Sequence, residues 1–582
     1  MSAFMLTPAQ AIEIRGIAVP LVIGVTSHRN IPAREAEAVR QHVRAFFARL
    51  QRDYPRLPLV VLSALAEGGD QWVAEEALAA GLRLIAPLPV ARSDYERDFD
   101  DPAARARFHA LCDAAEIIDV PEVVGGGRGR HRVDVPAGHE RDLHYAQAGV
   151  YISQHCHILL AIWDGKLSAR LGGTAQVVRY HLTGVRPANE ERRRGAARGA
   201  LLGSDSERLV YHIVCSRDET GGTPAPPLEP LQSFWRNGDD ALPGDEPMPL
   251  DFHTMFVHTS EFNADCATYA QDIAGAERLQ PPLASAFGAL FHAADWLAIH
   301  FQKRVLLAMR TLYTLAALMG IAFTVYDNLP EQDYMLSVFL LLFAIGGLVV
   351  IIANRRSWHR KYLDYRALAE GLRVQSYWRR AGLSITGDAE FARDNFLQKQ
   401  DVELGWIRNV MRGAALESAL DTSTAEPEDL PKVVREWVGD VGAGGQLDYY
   451  GRKGAQRART HRFTESIGIA SLCVGIGISL VLAVMASRLS PDAKNWLVVV
   501  MAVFSIIAAV REAYAYKKAD KELIKQYRFM HRLFTQARIA LDGTADAGEQ
   551  REILRLLGEA SLAEHVEWAL MHRQRPLEHS RL

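Results

Sequence analysis

The sequence predicts an α/β domain with a Rossmann-like, doubly wound parallel sheet, followed by an all-α membrane domain with four transmembrane helices in two hairpins. Short apolar runs alternate with helical patterns over residues 21–217. Four longer apolar runs follow in two close pairs. Of the 582 residues, 49% are hydrophobic and 23% are charged, which suits two or three globular domains with membrane segments.

The predicted strands of the α/β domain cover residues 21–25, 59–63, 83–87, 158–163 and 209–215, and helices cover 34–51 and 70–80. Continuous apolar strands separated by helices are typical of a parallel sheet that is buried on both faces. In such sheets, ligands bind beyond the C-terminal ends of the strands. The residues that follow each strand are therefore the candidate site.

The loop after the strand at 158–163 has the pattern of an anion site. It combines a strand end, paired glycines and a helix start, in Trp163, Asp164, Lys166, Gly172, Gly173 and Thr174. The glycines permit a close backbone approach, and we expect Thr174 to cap the helix. The free N–H groups and partial positive charge of a helix N-terminus favour phosphate.

Small, hydroxyl and charged side chains also accompany the first two strands. They are Gly24, Thr26, Ser27 and Arg29 at the first strand, and Ser63, Glu67, Gly68, Gly69 and Asp70 at the second. Arg29 suits charge-assisted pairing with phosphate, and Glu67 or Asp70 suits ribose hydroxyls. The alternative is ordinary turn and cap chemistry, in which Ser, Gly and Asp are common.

These motifs resemble the SLOG superfamily, which includes LOG nucleotide hydrolases, DprA-like proteins and the sensing region of melastatin-type TRP channels. The resemblance rests on IGVT at 23–26, SALAEGGDQWVAEEAL at 63–78 and GGT at 172–174, and it covers about residues 18–220. It implies a pocket for a nucleotide or nucleotide-derived signal, such as an ADP-ribose-like molecule or a cyclic nucleotide. It places at the ligand Gly24, Thr26, Arg29, Gly68, Gly69, Asp70, Gly172, Gly173 and Thr174.

One departure from the family concerns catalysis. LOG hydrolases carry an acidic residue shortly after their glycines, whereas here Thr174 is followed by Ala175, Gln176, Val177 and Val178. We therefore expect a ligand-binding sensor in preference to an enzyme, with no catalytic residue and no certain cofactor. Glu67 or Asp164 could still serve a hydrolase, so a membrane-tethered nucleotide- or NAD-cleaving enzyme is an alternative. A membrane scaffold with a vestigial pocket is another.

Histidine-rich stretches before the 158–163 strand do not predict a metal site. His139, Glu140 and His144 do not have the spacing of a zinc-binding helix, because the second histidine comes five residues after the first. His155 and His157 are expected to open the strand and share one face, without an evident third ligand. Arg141, Tyr145 and Gln147 lie just upstream and could reach a ligand.

The four apolar runs cover residues 311–326, 336–353, 466–486 and 496–510. A helix needs about 20 residues to cross the ~30 Å hydrocarbon layer, so two of the runs are short. Two buried core hairpins are the alternative. Lys and Arg concentrate before and after each pair and are scarce in the loops at 327–334 and 487–495, which predicts cytosolic termini and a cytosolic α/β domain.

The third run is rich in small residues, including Gly468, Gly475 and Gly477. Such residues allow close helix packing, which serves oligomer contacts, a pore lining or contacts within the chain. The first three runs contain no ionisable residue, which argues against a coupled transporter.

A basic, aromatic helix is predicted after each hairpin. The first carries Trp358, Tyr362, Tyr365, Arg366 and Glu370, and with its hairpin it resembles the SLATT class of membrane modules. That resemblance implies a pore-forming or membrane-disrupting effector of bacterial conflict systems. Residues 564–578 are predicted to form a docking helix.

The predicted organisation has six parts. They are a SLOG-like domain over 1–220, a loop-rich connection with helices over 221–300, a first hairpin with its helix over 301–385, a helical region over 386–460, a second hairpin with its helix over 461–545 and a helical tail over 546–582. Residues 218–252 are expected to form a long loop.

We therefore expect a nucleotide-signal sensor coupled to a membrane pore in bacterial antiphage defence. The protein would be a homo-oligomer in the bacterial inner membrane. The net charge of −3 gives no reason to expect nucleic acid, and the five scattered cysteines suit a reducing compartment.

Overall fold

The computed structural model describes residues 18–120, 138–168, 170–183, 208–238, 240–241, 247–277, 286–329, 332–383, 404–420, 429–440, 442–485 and 487–573. The chain divides into two compact units, each made of two separate stretches. The first unit lies within Met1–Ala293 and Gly371–Pro427, and the second within Ala294–Glu370 and Glu428–Leu582. The unit that holds the sheet therefore extends beyond the predicted boundary at residue 220.

The described strands are β1 (Leu21–Ser27), β2 (Leu59–Leu62), β3 (Arg83–Leu88), β4 (Glu116–Asp119), β5 (Ile158–Trp163), β6 (Leu209–Val214), β7 (Ser233–Asn237) and β8 (Asp240–Ala241). The described helices of the first 300 residues are α1 (Ala33–Asp53), α2 (Gly69–Ala79), α3 (Arg92–Tyr95), α4 (Pro102–Ala114), α5 (His139–His155), α6 (Thr174–Thr183), α7 (Leu250–Thr268), α8 (Ala270–Glu277) and α9 (Ala286–Asn328). They are followed by α10 (Tyr334–Arg355), α11 (Trp358–Arg380), α12 (Gly405–Leu420), α13 (Leu430–Trp437), α14 (Gly445–Met485), α15 (Pro491–Lys517), α16 (Asp520–Asp542) and α17 (Ala547–Arg573).

All the described strands belong to one sheet, in the order β4-β3-β2-β1-β5-β6-β7-β8. Neighbours from β4 to β6 are parallel, whereas β7 is antiparallel to β6 and β8 is antiparallel to β7. Every residue of β1 and β5 is buried, as expected for strands in the middle of a covered sheet. The predicted α/β fold with a mostly parallel sheet is confirmed.

Helix α5 packs closely on the middle of β1, and this contact accounts for Gly24. A Cβ atom at Gly24 would lie 2.7 Å from a methyl carbon of Ile152 and 2.8 Å from Cys156. The same apolar core includes Val22 and, from α12, Leu416. Helix α12 thus completes the sheet unit, although α9 to α11 intervene in the sequence.

The prediction that His155 and His157 share one face of a strand is wrong, because α5 ends at His155 and β5 begins at Ile158. His155 Nδ1 donates to Tyr151 O (2.9 Å). His157 Nδ1 accepts from Val22 N (3.1 Å), so Nε2 donates to Asn409 O (3.0 Å), and burial lowers the pKa of His157 to about 3. No group of three metal-binding side chains occurs among the described residues.

The prediction of one long loop over 218–252 is wrong for residues 233–237 and 240–241, which form β7 and β8, and for residues 250–252, which begin α7. Aromatic packing holds β7 on the sheet. The ring of Trp235, which is 1% exposed, meets the edge of Tyr211 at 4.8 Å between centroids, and Tyr211 stacks on Phe46 at 4.4 Å. The short strand β4 was not predicted either, because three of its four residues are exposed.

In the second unit, α9, α10, α14 and α15 are long and apolar enough to cross a membrane. They contain the four predicted spans, except that Ala486 lies outside the described residues. This pattern fits a multi-pass membrane protein. Helix α9 has 43 residues, or roughly 65 Å at 1.5 Å per residue, so it extends well beyond a ~30 Å hydrocarbon layer.

Two of the small residues of α14 face α15. A Cβ atom at Gly475 would lie 3.3 Å from Ser505 Oγ, and one at Gly468 would lie 3.1 Å from Arg511 Cδ. Close packing of this hairpin therefore explains both residues. A Cβ atom at Gly477 would meet no other described atom within 4 Å, so this position is open to the surroundings of the helix.

The C-terminal helix α17 docks on α11 of the same chain. Arg573 Nη2 donates to Asp364 Oδ1 (2.6 Å), and Asp364 is completely buried. The Tyr362 and Trp568 rings pack edge to face with centroids 6.0 Å apart. The helix predicted over 564–578 is thus present as far as residue 573, and its docking partner in this unit is the helix that follows the first hairpin.

Candidate functional site

The candidate site lies where the strand order reverses, since β1 is flanked by β2 on one side and by β5 on the other. In open α/β sheets the crevice at such a point, beyond the C-terminal strand ends, binds ligands. Two helix N-termini converge on the end of β1. Gly69 N, at the start of α2, donates to His28 O (3.4 Å), and Thr174 Oγ1, at the start of α6, donates to Ser27 O (2.6 Å).

Glycines allow α2 to begin this close to β1. Gly68 has φ +91°, and a Cβ atom there would lie 2.3 Å from Arg29 O. A Cβ atom at Gly69 would lie 2.8 Å from the side chain of Ser27. The sequence indicated that glycines allow a close backbone approach, and in this structure the approach is between the start of α2 and the end of β1. It brings the positive end of α2 to the end of this strand.

The paired glycines before α6 have a similar role. Gly172 has φ +72°, and a Cβ atom there would lie 2.8 Å from Tyr145 Cβ. Its N–H donates to Gln176 Oε1 (2.6 Å), while Gly173 N donates to Arg170 O (3.2 Å). Gln176 occupies the stretch in which LOG hydrolases have their acid, and here it satisfies the backbone of its own loop.

The prediction that Thr174 caps its own helix is wrong. Its hydroxyl bonds to Ser27 O, and the residue is 8% exposed. The side chain that reaches back to the start of α6 is Gln176, whose Oε1 accepts from the N–H of Gly172, one residue before the N-cap position. Thr174 instead ties the α6 loop to the end of β1, where Thr26 and Ser27 are also buried.

Asp70, in the first turn of α2, is the titratable group most strongly affected by this environment. It is 5% exposed, and its Oδ1 atom has no hydrogen-bond partner among the described residues. Burial raises the pKa of Asp70 to about 7, although the Ser27 hydroxyl and the charge of Arg29 act in the opposite direction. Ser63 supports the turn before α2, since its hydroxyl accepts from Leu65 N (3.2 Å).

Arg29 follows β1 directly and is exposed. Its guanidinium carbon lies 5.6 Å from the centroid of the Tyr145 ring. No carboxylate among the described residues forms an ion pair with Arg29, so its planar fork of N–H donors is available to an anion. Glu67 is half-buried nearby in sequence.

A group of polar residues after β3 was missed in the sequence. Asp94 and Asp98 both pair with Arg141 of α5, at 2.9 Å from its guanidinium nitrogens. Tyr95 is 1% exposed, and its hydroxyl has no hydrogen-bond partner in the described part of the chain. Asp94, Tyr95 and Asp98 follow a strand, as the predicted site residues do, so the same sequence signal identifies them. Arg141, expected to reach a ligand, is instead engaged by two carboxylates.

The residues after β5 lie on the other side of the strand end. Asp164 is 2% exposed, and its Oδ1 lies 3.1 Å from His28 Nε2. The indole N–H of Trp163 donates to Lys166 O (3.1 Å), and Lys166 Nζ donates to Gly221 O (2.7 Å). Trp163 and Lys166 thus stabilise their own loop. His28 was not predicted as a site residue, although it stands beside Arg29 after the first strand.

The structure brings most of the predicted site residues together, whereas Ser63 supports the turn before α2, Glu67 follows that turn and Asp164 lies after β5. Those at the convergence of β1, α2 and α6 are Thr26, Ser27, Arg29, Gly68, Gly69, Asp70, Gly172, Gly173 and Thr174. Gly24 lies inside the sheet under α5, and Trp163 and Lys166 shape the loop after β5. The convergence brings together two helix N-termini, a guanidinium that forms no ion pair with a described residue, and one buried carboxyl group.

Comparison of the chain with models of known protein families finds no match, and comparison with curated proteins finds none either. The chemistry of this site is therefore inferred from its own geometry.

Proposed function

We propose that this chain is a membrane-embedded receptor for a nucleotide-derived small molecule and that ligand binding opens or assembles a pore. The ligand is an anion such as an ADP-ribose-like molecule or a cyclic nucleotide. In keeping with the resemblance to SLOG sensors and SLATT effectors, the receptor acts as a homo-oligomer in the bacterial inner membrane, in antiphage defence. The α/β unit and both termini lie in the cytosol.

The observation that carries the proposal is the convergence of two helix N-termini on the end of β1 beside an unpaired arginine. Helix N-termini favour phosphate through free N–H groups and partial positive charge. Arg29 adds a guanidinium that matches a phosphate with two parallel hydrogen bonds. Asp70 lies in the first turn of α2 and suits a ribose hydroxyl, from which a carboxylate accepts a hydrogen bond.

The membrane helices support the second half of the proposal. The predicted spans in α9 and α10 contain no ionisable residue, and many large apolar side chains of α10 are exposed in this chain, as lipid-facing side chains are. Gly477 leaves an open position on α14 for a neighbouring subunit or a pore. A ligand can shift such helices only if it binds one of their arrangements more tightly than the other.

The test uses the full chain in dye-loaded anionic liposomes, with ATP, GTP, NAD, ADP-ribose and 3′,5′-cyclic AMP added separately. One of these should cause dye release, and isothermal titration calorimetry should detect binding of the same compound. Arg29→Gln should abolish both signals, as should Gly173→Asp, which adds a negative charge to the loop before α6. Arg52→Gln, at an exposed arginine in the last turn of α1, is the matched control and should leave both unchanged.

Three results would contradict the proposal in different ways. Full dye release without any ligand would remove the gating step. Binding without release would leave a receptor whose output is not a pore. No binding by any compound of the panel would favour a membrane scaffold with a vestigial pocket.

A further inference from the structure

His28 is held in a fixed position at the end of β1. Its N–H donates to Ile162 O of β5 (3.0 Å), and its carbonyl oxygen accepts from Gly69 N of α2 (3.4 Å). The imidazole Nε2 is buried and lies 3.1 Å from Asp164 Oδ1.

Asp164 is itself held by the loop after β5. Its Oδ1 accepts from Lys166 N (3.0 Å), and its backbone oxygen accepts from Ala225 N (2.8 Å). Burial acts to raise the pKa of Asp164, but the His28 contact and the Lys166 N–H outweigh it, so the pKa lies below its ordinary value. Asp164 is therefore a carboxylate at neutral pH.

A carboxylate beside one ring nitrogen places the proton of a neutral imidazole on that nitrogen. In His28 this is Nε2, which leaves a lone pair on Nδ1. No described residue hydrogen-bonds to Nδ1, and this atom is not among the buried polar atoms that lack a partner. The side chain is 13% exposed, so water reaches Nδ1. This arrangement of carboxylate, imidazole and open nitrogen is that of a general base.

The position of His28 determines the bond on which it could act. Its carbonyl oxygen touches the N-terminus of α2, and the preceding residue, Ser27, touches Thr174 at the start of α6. A ligand of the ADP-ribose or nucleoside-triphosphate class, bound with its phosphates at these helix ends, would present its phosphoanhydride at the same strand end as His28. A phosphorus atom is therefore the reacting centre considered for this base.

We propose that His28, positioned by Asp164, is a general base that activates water to hydrolyse a phosphoanhydride of the bound ligand. The water oxygen forms a bond to phosphorus while its proton moves to His28 Nδ1. The bond between phosphorus and the bridging oxygen breaks, and the leaving phosphate departs with the electron pair. Arg29 and the helix N-termini stabilise the charge that develops. This inference rests on the proposed function, since it requires a phosphorylated ligand in the receptor site, and it makes the receptor limit its own signal.

The test incubates the full-length protein with ATP, GTP, NAD and ADP-ribose, separates the products by chromatography and measures binding in parallel. A compound that binds should be cleaved at its phosphoanhydride. His28→Asn should lower kcat by about 100-fold or more with little effect on affinity, as expected for a lost general base. Imidazole added to His28→Ala should restore part of the rate. Asp164→Asn should lower kcat without changing KM.

His42→Asn is the matched control, because His42 is a half-buried histidine of α1, away from the strand ends, and should leave turnover unchanged. A compound that binds and is recovered intact would overturn the assignment to His28 and leave the receptor function standing. Turnover that persists in His28→Asn, or that imidazole does not restore in His28→Ala, would also overturn it. No binding and no turnover would remove both proposals together.

Discussion

Asp70→Asn gives a direct test of how strongly the site disfavours a negative charge. The carboxyl is buried in the first turn of α2, and its pKa is raised from 3.8 to about 7. A shift of about 3 units corresponds to about 4 kcal/mol of lost stability once the group is charged in both the folded and the unfolded state. Asparagine has nearly the same shape and remains neutral, so it avoids this loss.

The sign of the effect follows from the pH at which Asp70 takes up its proton in the folded and in the unfolded state. Below pH 4, Asp70 is protonated in both states and causes no loss. Between about pH 4 and pH 7 only the folded state keeps the proton, so the stability of the parent protein falls as pH rises. Above pH 7 the loss is complete. The amide that Asp70→Asn introduces would itself leave a buried donor unpaired where Oδ1 now lies, at a cost of ~1–3 kcal/mol at every pH.

The assay is thermal melting of the full chain in detergent from pH 5 to pH 8, compared between parent and variant. From pH 5 to pH 8 the relative stability of Asp70→Asn should rise by about 3 kcal/mol, at ~1.4 kcal/mol for each pH unit until the pKa is reached. For a unit of about 350 residues, with about 2.1 cal/mol/K of unfolding entropy per residue, that is about 4 °C in relative melting temperature. Gln51→Ala changes an exposed, non-titratable residue of α1 and should show no such trend. Parallel curves for parent and Asp70→Asn would refute the reasoning.

Three further substitutions test contacts that build the two units. Gly68→Ala forces a Cβ atom against Arg29 O at a φ of +91°. It should therefore destabilise the sheet unit by ~1–3 kcal/mol or more and abolish ligand binding. Unchanged melting and binding would contradict this expectation. Thr174→Val keeps the shape of the side chain but leaves Ser27 O without its hydroxyl donor. The same melting assay should show a loss of ~1–3 kcal/mol in the free energy of unfolding. A loss of only a few tenths of a kcal/mol would show that another donor, such as water, replaces the hydroxyl. Arg573→Met leaves the buried Asp364 carboxylate without its closest cation, which costs ~3 kcal/mol of stability. The variant should therefore speed proteolysis of α17. Arg532→Met, at an exposed arginine, should leave the rate of proteolysis unchanged.

Features of the fold that depend on neighbouring residues in the sequence could be predicted. The apolar runs that became β1 and β5 and the four membrane helices are continuous stretches, and their hydrophobicity alone indicates burial or membrane insertion. The candidate site was predicted at the ends of these strands because glycines and polar residues follow them. Strand β4 was not predicted because it lies at an edge of the sheet and exposes most of its side chains. Its sequence therefore lacks the continuous apolar run that marks a buried strand.

Features that depend on distant partners could not be predicted. The hydroxyl of Thr174 bonds to a carbonyl 147 residues away, and only the folded sheet brings the two together. The packing of α12 on the sheet was not predicted for the same reason. Leu416 joins the core of the sheet and Glu417 pairs with Arg83, and both contacts join residues that are far apart in the sequence. The contact between His28 and Asp164 requires β1 and β5 to be adjacent, which a linear pattern does not specify.

The split of the sheet unit into two stretches of sequence has a consequence for biosynthesis. The ribosome makes β6 and then both helices of the first hairpin before it makes α12, which supplies Leu416 and the carbonyl partner of His157. At 5–20 residues per second, the interval between the end of β6 and the end of α12 is roughly 10–40 s. During that time the apolar surface that α12 covers has no cover from its own chain. Until α12 has been made, the nascent sheet therefore lacks the cover that Leu416 provides, and it presents this apolar surface to its surroundings.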